Sequence, residues 1–440
     1  MTLTPDLSPT PERQLDADEV DLLDLDRWAA DGPPHEWFAR KRAEAPVWHH
    51  PGPDGTRGFW VVSDHEHVTA LGRCPHVMSS DEDNGGLVGL GPGDELQAAF
   101  DASNAELAAI GLHDNDAKML LSLDPPEHTQ NRKVLNREFT PGAIGSLEPA
   151  VRELAGTLLD AVDRARGDGD DVVDFTTEVA MPLPMQVIGD LLGAPRHTHR
   201  DLLRWSNEAV TGTDPEYLSP GGSQLAAAAQ LAQLFSTMQI ERQAEPTDDL
   251  VSKLIAAEID GEPLSQLRFI MYLLLLVTAG NETTRNAMSH GVWAFAEHPE
   301  QWDRLREDPS LLSGAVEEVL RWASPLLYFR RNALEDIEVA GQLIRAGDIV
   351  SLWYVSANRD ESVFDDPFTF DIGRSPNHHV AFGGGGPHFC LGASLARLEL
   401  RVLFESMLER YSRIELAGPP DRLRGNFLHG VKHLPVRLRS

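Results

Sequence analysis

Residues 265–297 constrain this fold most. They read as one helix, apolar over 271–277 and again over 287–294, with no proline before Pro299. At ~1.5 Å of rise per residue, roughly 33 residues span about 50 Å, enough to cross the whole molecule. Apolar flanks of this kind imply a buried helix. The rest of the chain must therefore pack around it, and most of that is helical too. Helical patterns cover 24–45, 65–72, 126–139, 146–166, 179–192, 197–210, 222–243, 311–322 and 393–411, with a brief one near 96–110. Residues 46–50 and 58–63 flank a proline–glycine turn and read as a β-hairpin. Strand-like pieces lie at 337–339 and 350–353. The fold class expected is mainly α with a minor β part, which excludes a βαβ alternation. The long irregular stretch 75–123 is of the kind that carries function.

The chain has 440 residues and a formal charge of -31, from 38 basic and 69 acidic residues. Nucleic acid is a poor partner for such a surface, since neutralising phosphates needs a basic footprint. Two cysteines, Cys74 and Cys390, offer no disulfide framework, so a reducing cytoplasm fits. The first residues lack a basic and apolar leader pattern. The longest apolar run, 269–279, is too short to span a bilayer. We expect a loose arm over 1–20 and a single catalytic domain over 21–440, because the candidate site draws on both halves.

Three groups of residues carry chemistry. Four glycines, Gly383 to Gly386, lead through Pro387, His388 and Phe389 to Cys390 and Gly392, just before a helix. Glycines let a flat ligand approach the backbone closely. The start of a helix favours a thiolate, which suits a soft metal or a haem iron. A lone cysteine is otherwise a small buried hydrophobe, and glycine loops also cradle phosphates. The second group interrupts the long helix: Ala279, Gly280, Asn281, Glu282, Thr283 and Thr284. Small residues open a notch there. A threonine can bond back to the carbonyl four residues earlier, here Ala279. A buried acid such as Glu282 wants a task or a partner. The third group is basic. His128 and Arg132 lie one helical turn apart, both able to donate to an anion. Glu318 and Arg321 share a helix face, a weak signal by itself. The paired histidines elsewhere lack ligand spacing, and no nucleophile elbow or phosphate loop occurs.

Together these motifs resemble the cytochrome P-450 family, in its order and over almost the whole chain. The resemblance implies haem b as cofactor, with Cys390 as the axial ligand of the iron. It implies that Thr283 steadies the oxygen and that Glu282 helps deliver protons through water. It implies propionate contacts from His128, Arg132, Arg331 and His388, and a structural brace from Glu318, Arg321 and Arg374. Phe382 stands eight positions before the cysteine, where the commoner pattern has seven. That spacing, the 279–286 run and the 352–361 run resemble a bacterial subgroup acting on steroids, terpenoids and methyl-branched lipids.

The resemblance implies a monooxygenase hydroxylating an unactivated C–H bond of a hydrophobic small molecule with O2. No flavin or iron–sulfur segment is present, so a ferredoxin and its reductase would supply electrons. Arg132, Lys133, Arg137, Arg397 and Arg401 would form its docking face. The pocket would be lined by 75–123, the 197–243 helices, Leu275, Thr278, Ala279, Leu327 and Tyr328. Two alternatives are a non-catalytic haem-binding sensor and a haem-thiolate enzyme that couples substrates or runs on peroxide. The intact Glu282–Thr283 pair speaks against both.

Overall fold

The computed structural model describes residues 19–52, 56–91, 93–95, 97, 98, 101, 102, 105, 118–166, 171–211, 213–218 and 223–440. Most of the arm expected over 1–20, the hairpin turn at 53–55 and most of the 96–110 pattern lie outside them.

The long helix is Gln266–Glu297, 32 residues. Ser265 caps it, its hydroxyl accepting from the Arg268 N–H at 3.1 Å. Leu273 to Val277 are all buried, on every side of the helix. The helices Pro182–Leu192, His199–Thr211, Gln224–Ala244, Leu312–Ala323 and Ala393–Arg410 pack against it. At about 1.5–3 kcal/mol per fully buried large apolar side chain, this central core dominates the stability. Gly280 sets the approach of one neighbour: a Cβ there would lie 2.9 Å from Ile188 Cδ1.

The 24–45 pattern is two helices, Leu25–Asp31 and His35–Glu44, rather than one. Gly32 turns at φ 70°, and Pro33 and Pro34 cannot continue the helix. The hairpin pairs Val47–His50 with Phe59–Val62, Val47 opposite Val62. It joins a five-stranded sheet through a parallel contact with Ile349–Trp353. That strand pairs antiparallel with Tyr328–Ala333, which pairs with Met78–Ser79. The sheet thus ties the 47–79 segment to the 328–353 segment and fixes the position of Arg331. Strand Tyr328–Ala333 goes unread in the sequence because its buried positions include Arg330, Arg331 and Asn332. No helix among the described residues is long and apolar enough to cross a membrane.

Candidate active site

The glycine loop is clamped from outside. Gly386 has φ +80°, and a Cβ on it would meet the Gly72 carbonyl oxygen at 2.8 Å. A Cβ on Gly384 would lie 2.8 Å from the Thr69 Cα. The loop backbone therefore rests on helix His65–Gly72, and Arg73 Nε donates to the Gly384 carbonyl at 2.8 Å. The loop ends with the Cys390 N–H donating to the Phe382 carbonyl at 3.0 Å. Gly392 then caps helix Ala393–Arg410. Cys390 is exposed, and burial by the surrounding protein pushes its thiol up. The Gly392 N–H and the charges of Arg132 and Arg397 pull it down.

The brace is built as a buried network. Arg321 Nη2 and Nε donate to the two Glu318 oxygens at 2.7 and 2.8 Å, with both side chains fully buried. Arg374 Nε donates to Glu318 at 3.2 Å. Arg321 Nη1 donates to the Asn358 carbonyl at 2.8 Å, and the Asn358 side-chain oxygen accepts from the Val380 N–H at 2.7 Å. Val380 accepts in turn from the Gly383 N–H. An unbroken line of bonds thus runs from Glu318 to the first glycine of the loop. Asn358 in that line is a residue the motifs alone did not single out.

The basic residues converge. The His128 and His388 rings lie 4.2 Å apart, and Arg132 Nη1 donates to the Pro387 carbonyl at 3.0 Å. Arg331, Arg132 and His128 all act on His388, which burial and these charges push well below the usual histidine range. His128 Nδ1 and His388 Nε2 are buried with no hydrogen-bond partner. Arg330 is separate: it bonds the Gly89 carbonyl, Gln97 and Asn332. Unpaired buried nitrogens beside two arginines fit the carboxylates of an organic anion.

On the long helix, Thr283 Oγ1 donates to the Ala279 carbonyl at 2.8 Å, and Thr278 Oγ1 to Leu274 at 2.8 Å. Ala279 is exposed and Thr283 partly so, in a helix otherwise buried on both sides of this turn. Glu282 differs. It is fully buried, bonded to Arg285 and to Asn281 Nδ2 at 3.3 Å. Successive helical residues point about 100° apart, so acid and alcohol leave the helix on different sides. Leu275 lies in the main core, whereas Leu327 and Tyr328 belong to an aromatic cluster with Trp353 and Phe38. Arg397 and Arg401 are engaged with Glu317 at 2.6 Å and Glu148 at 2.6 Å, so their charge is not free for a partner.

The family model for cytochrome P-450 matches residues 226–436. A steroid C26-monooxygenase of Mycolicibacterium smegmatis is 39% identical over 436 residues, covering 97% of this chain and 95% of that one. This chain belongs to the cytochrome P-450 family. A linalool 8-monooxygenase of Pseudomonas putida is 39% identical over 92% of this P-450 and 95% of its own length. A Mycobacterium marinum P-450 solved with pseudoionone superposes with a TM-score of 0.84 at 35% identity, covering 98% of this chain and all of that one. The enzyme is a P-450 monooxygenase with a mainly helical fold, and its cofactor is haem b with the iron held by a thiolate. The orphaned histidine nitrogens and the glycine cradle are consistent with that group.

Proposed function

We propose that this P-450 hydroxylates an unactivated C–H bond of a terpenoid, steroid or methyl-branched lipid, with electrons from a ferredoxin and its reductase. The observation that carries the reading is the accessible alcohol Thr283 in a buried helix, in a chain that also presents an accessible Cys390. Its relatives include the steroid and linalool enzymes and a methyl-branched lipid omega-hydroxylase of Mycobacterium tuberculosis, 38% identical over 97% of this chain and 96% of that one. When bound, the haem supplies the activation of O2.

The protein's own residues then have distinct tasks. Cys390 would hold the iron, with the Gly392 N–H steadying its sulfur. Arg132, Arg331, His128 and His388 would hold the propionates. Glu318, Arg321 and Arg374 would keep the loop that carries Cys390 in place. Thr283 would hold a proton at Oγ1, anchored on the Ala279 carbonyl, and Glu282 would feed protons to that side of the helix through water. Thr278 and Ala279 have surface to offer a substrate. Leu327 and Tyr328, at 1% and 0% exposure, have almost none. We assign residues 21–440 to one catalytic unit working in a reducing cytoplasm.

The test is a spectral-shift screen with steroids, terpenes and methyl-branched fatty acids, followed by product analysis with a ferredoxin system. Tight binding by one of these classes, with a single-oxygen product, is expected. Binding confined to small polar or aromatic compounds, or turnover with peroxide alone, would overturn the reading.

A further inference from the structure

The long helix buries a second ionic group beside its polar turn, and the tasks assigned to Glu282 and Thr283 leave it unused. Arg285 is fully buried and lies three residues after Glu282, on the same helix face. Its Nη2 donates to Glu282 Oε2. Its Nη1 donates to Asn207 Oδ1 at 3.3 Å, and its guanidinium carbon lies 5.4 Å from the Tyr217 ring centroid. Its Nε is buried without a partner. Asn207 belongs to helix His199–Thr211, and Tyr217 to the turn beyond it. That helix sits directly on the long one: Ser206 Oγ donates to the Val277 carbonyl at 3.5 Å.

A buried ion pair gives a fold little that apolar packing would not. Its presence beside the polar turn calls for a reason. Burial pushes the Glu282 carboxyl up, and Arg285 is the cation that opposes this. The groups found to act on this carboxyl are Arg285 and Asn281 from its own helix, with Tyr217 facing the pair from the turn after His199–Thr211. The arginine also fixes direction, holding the carboxylate on a side of the helix that Thr283 does not share.

We propose that Arg285 is the positioning residue of Glu282, pinning its carboxylate and tying it to Asn207 and Tyr217 so that the acid is anchored to the 199–217 segment. This rests on the reading that Glu282 delivers protons. Its contacts are with Glu282, Asn207 and Tyr217, so Arg285 acts through the acid.

The experiment compares Arg285→Gln, Arg285→Lys, Glu282→Gln, Asn207→Ala and the Glu282→Gln/Arg285→Gln double variant as full-length holoenzymes. Infrared difference spectra at neutral pH report whether a buried carboxylic acid is protonated, independent of turnover. A new protonated-acid band, absent from wild type and from the double variant, is expected in the Arg285→Gln minus wild-type difference spectrum; the buried Glu399 carboxyl, common to all variants, cancels in it. Product per reduced cofactor is expected to fall several-fold in Arg285→Gln and to recover partly in Arg285→Lys. The double variant should be no worse than Glu282→Gln alone, since residues that act as one unit are non-additive. Asn207→Ala should reproduce part of the loss. If Arg285→Gln does not fold, Arg285→Lys and Asn207→Ala still decide: wild-type coupling and pH profile in both would overturn the tie. No new band in Arg285→Gln, or losses that multiply in the double variant, would reduce Arg285 to packing. Wild-type coupling in Glu282→Gln would instead sink proton delivery by Glu282, while the infrared band would still test the pinning.

Discussion

At Cys390 two influences oppose each other. Burial favours the thiol, while one backbone N–H and two arginines favour the thiolate. A bound haem iron would favour the thiolate, so ligation there should be complete. Cys390→Ser is expected to abolish the strongly red-shifted Soret band of the reduced carbon monoxide complex, and Cys74→Ser to leave it intact. A band that survives in the Cys390 variant would remove the ligand assignment. Thr283 presents a different balance. Its hydroxyl is satisfied by Ala279, so removing it leaves one carbonyl of the long helix without that bond. Thr283→Ala should bind substrate and accept electrons normally but lose several-fold in product per reduced cofactor, the electrons appearing as peroxide. Thr283→Ser, which keeps the hydroxyl, should retain most of the coupling. Equal coupling in wild type and Thr283→Ala would mean the hydroxyl serves only the helix.

Among elements, the glycine loop is the most demanding. Gly386→Ala places a methyl against the Gly72 carbonyl at positive φ, and neither backbone can yield cheaply. It should cost about 1–3 kcal/mol and lower haem retention. Gly142→Ala is the control: it has nothing within 4 Å and sits in helix Pro141–Gly145, where alanine is favoured by up to ~1 kcal/mol. Comparable melting and haem content in the two variants would show that the loop is loosely held. Glu318→Gln should be harsher, because it leaves Arg321 buried without its anion, a loss of about 3–5 kcal/mol. Expression without haem is the expected readout. The elements differ in how legible they are in the sequence. Long helices announce themselves by their apolar period, and the cysteine loop by its glycines. The break at Gly32 is written in Pro33 and Pro34, but an apolar pattern that continues across it masks the stop. Strand Tyr328–Ala333 carries buried arginines and an asparagine, so no alternation exists to be read. The Glu318–Arg321 pair is visible as spacing, yet whether it is an idle surface pair or a buried brace depends on partners 37 to 53 residues away. Arg285 and Asn358 stand inside runs that carry the family resemblance, but their individual tasks give no signal, because these lie in contacts with distant segments.

The whole molecule carries two electrostatic consequences. His290 is buried and His35 and His429 are half-buried; loss of hydration pushes His290 and His35 well below the usual histidine range and His429 down to about 4. Burial is the main cause in each. At pH 7 these rings are neutral in the folded state and mostly neutral in the unfolded one. Below about pH 6.5 the unfolded chain takes up protons that the native state refuses, so stability falls as pH drops through the window from about 6.5 to about 4. Each ring contributes a slope of up to about 1.4 kcal/mol per pH unit there. Denaturant midpoints at pH 7 and 5.5 should differ markedly, and a flat profile would mean the rings protonate in place. The second consequence concerns the electron donor. In a chain of charge -31, an acidic partner needs a local cationic face. Arg397 and Arg401 are spent on Glu317 and Glu148, which leaves less than their number promises. Lys133 and Arg137 are exposed on and just after helix Glu127–Asn136 and pair with no carboxylate among the described residues. Lys133 also borders a groove shared with Arg132, Gly386 and Pro387, on the loop that leads to Cys390. Complementary charge acts mainly on the association rate and is screened by salt. Lys133→Glu with Arg137→Glu should therefore slow reduction by an acidic ferredoxin at low salt and flatten its salt dependence, with the carbon monoxide spectrum unchanged. Arg401→Glu should instead lower stability, because it sets two acids against each other. Should the Lys133 and Arg137 reversals leave the reduction rate at its wild-type value, electrons enter from another face.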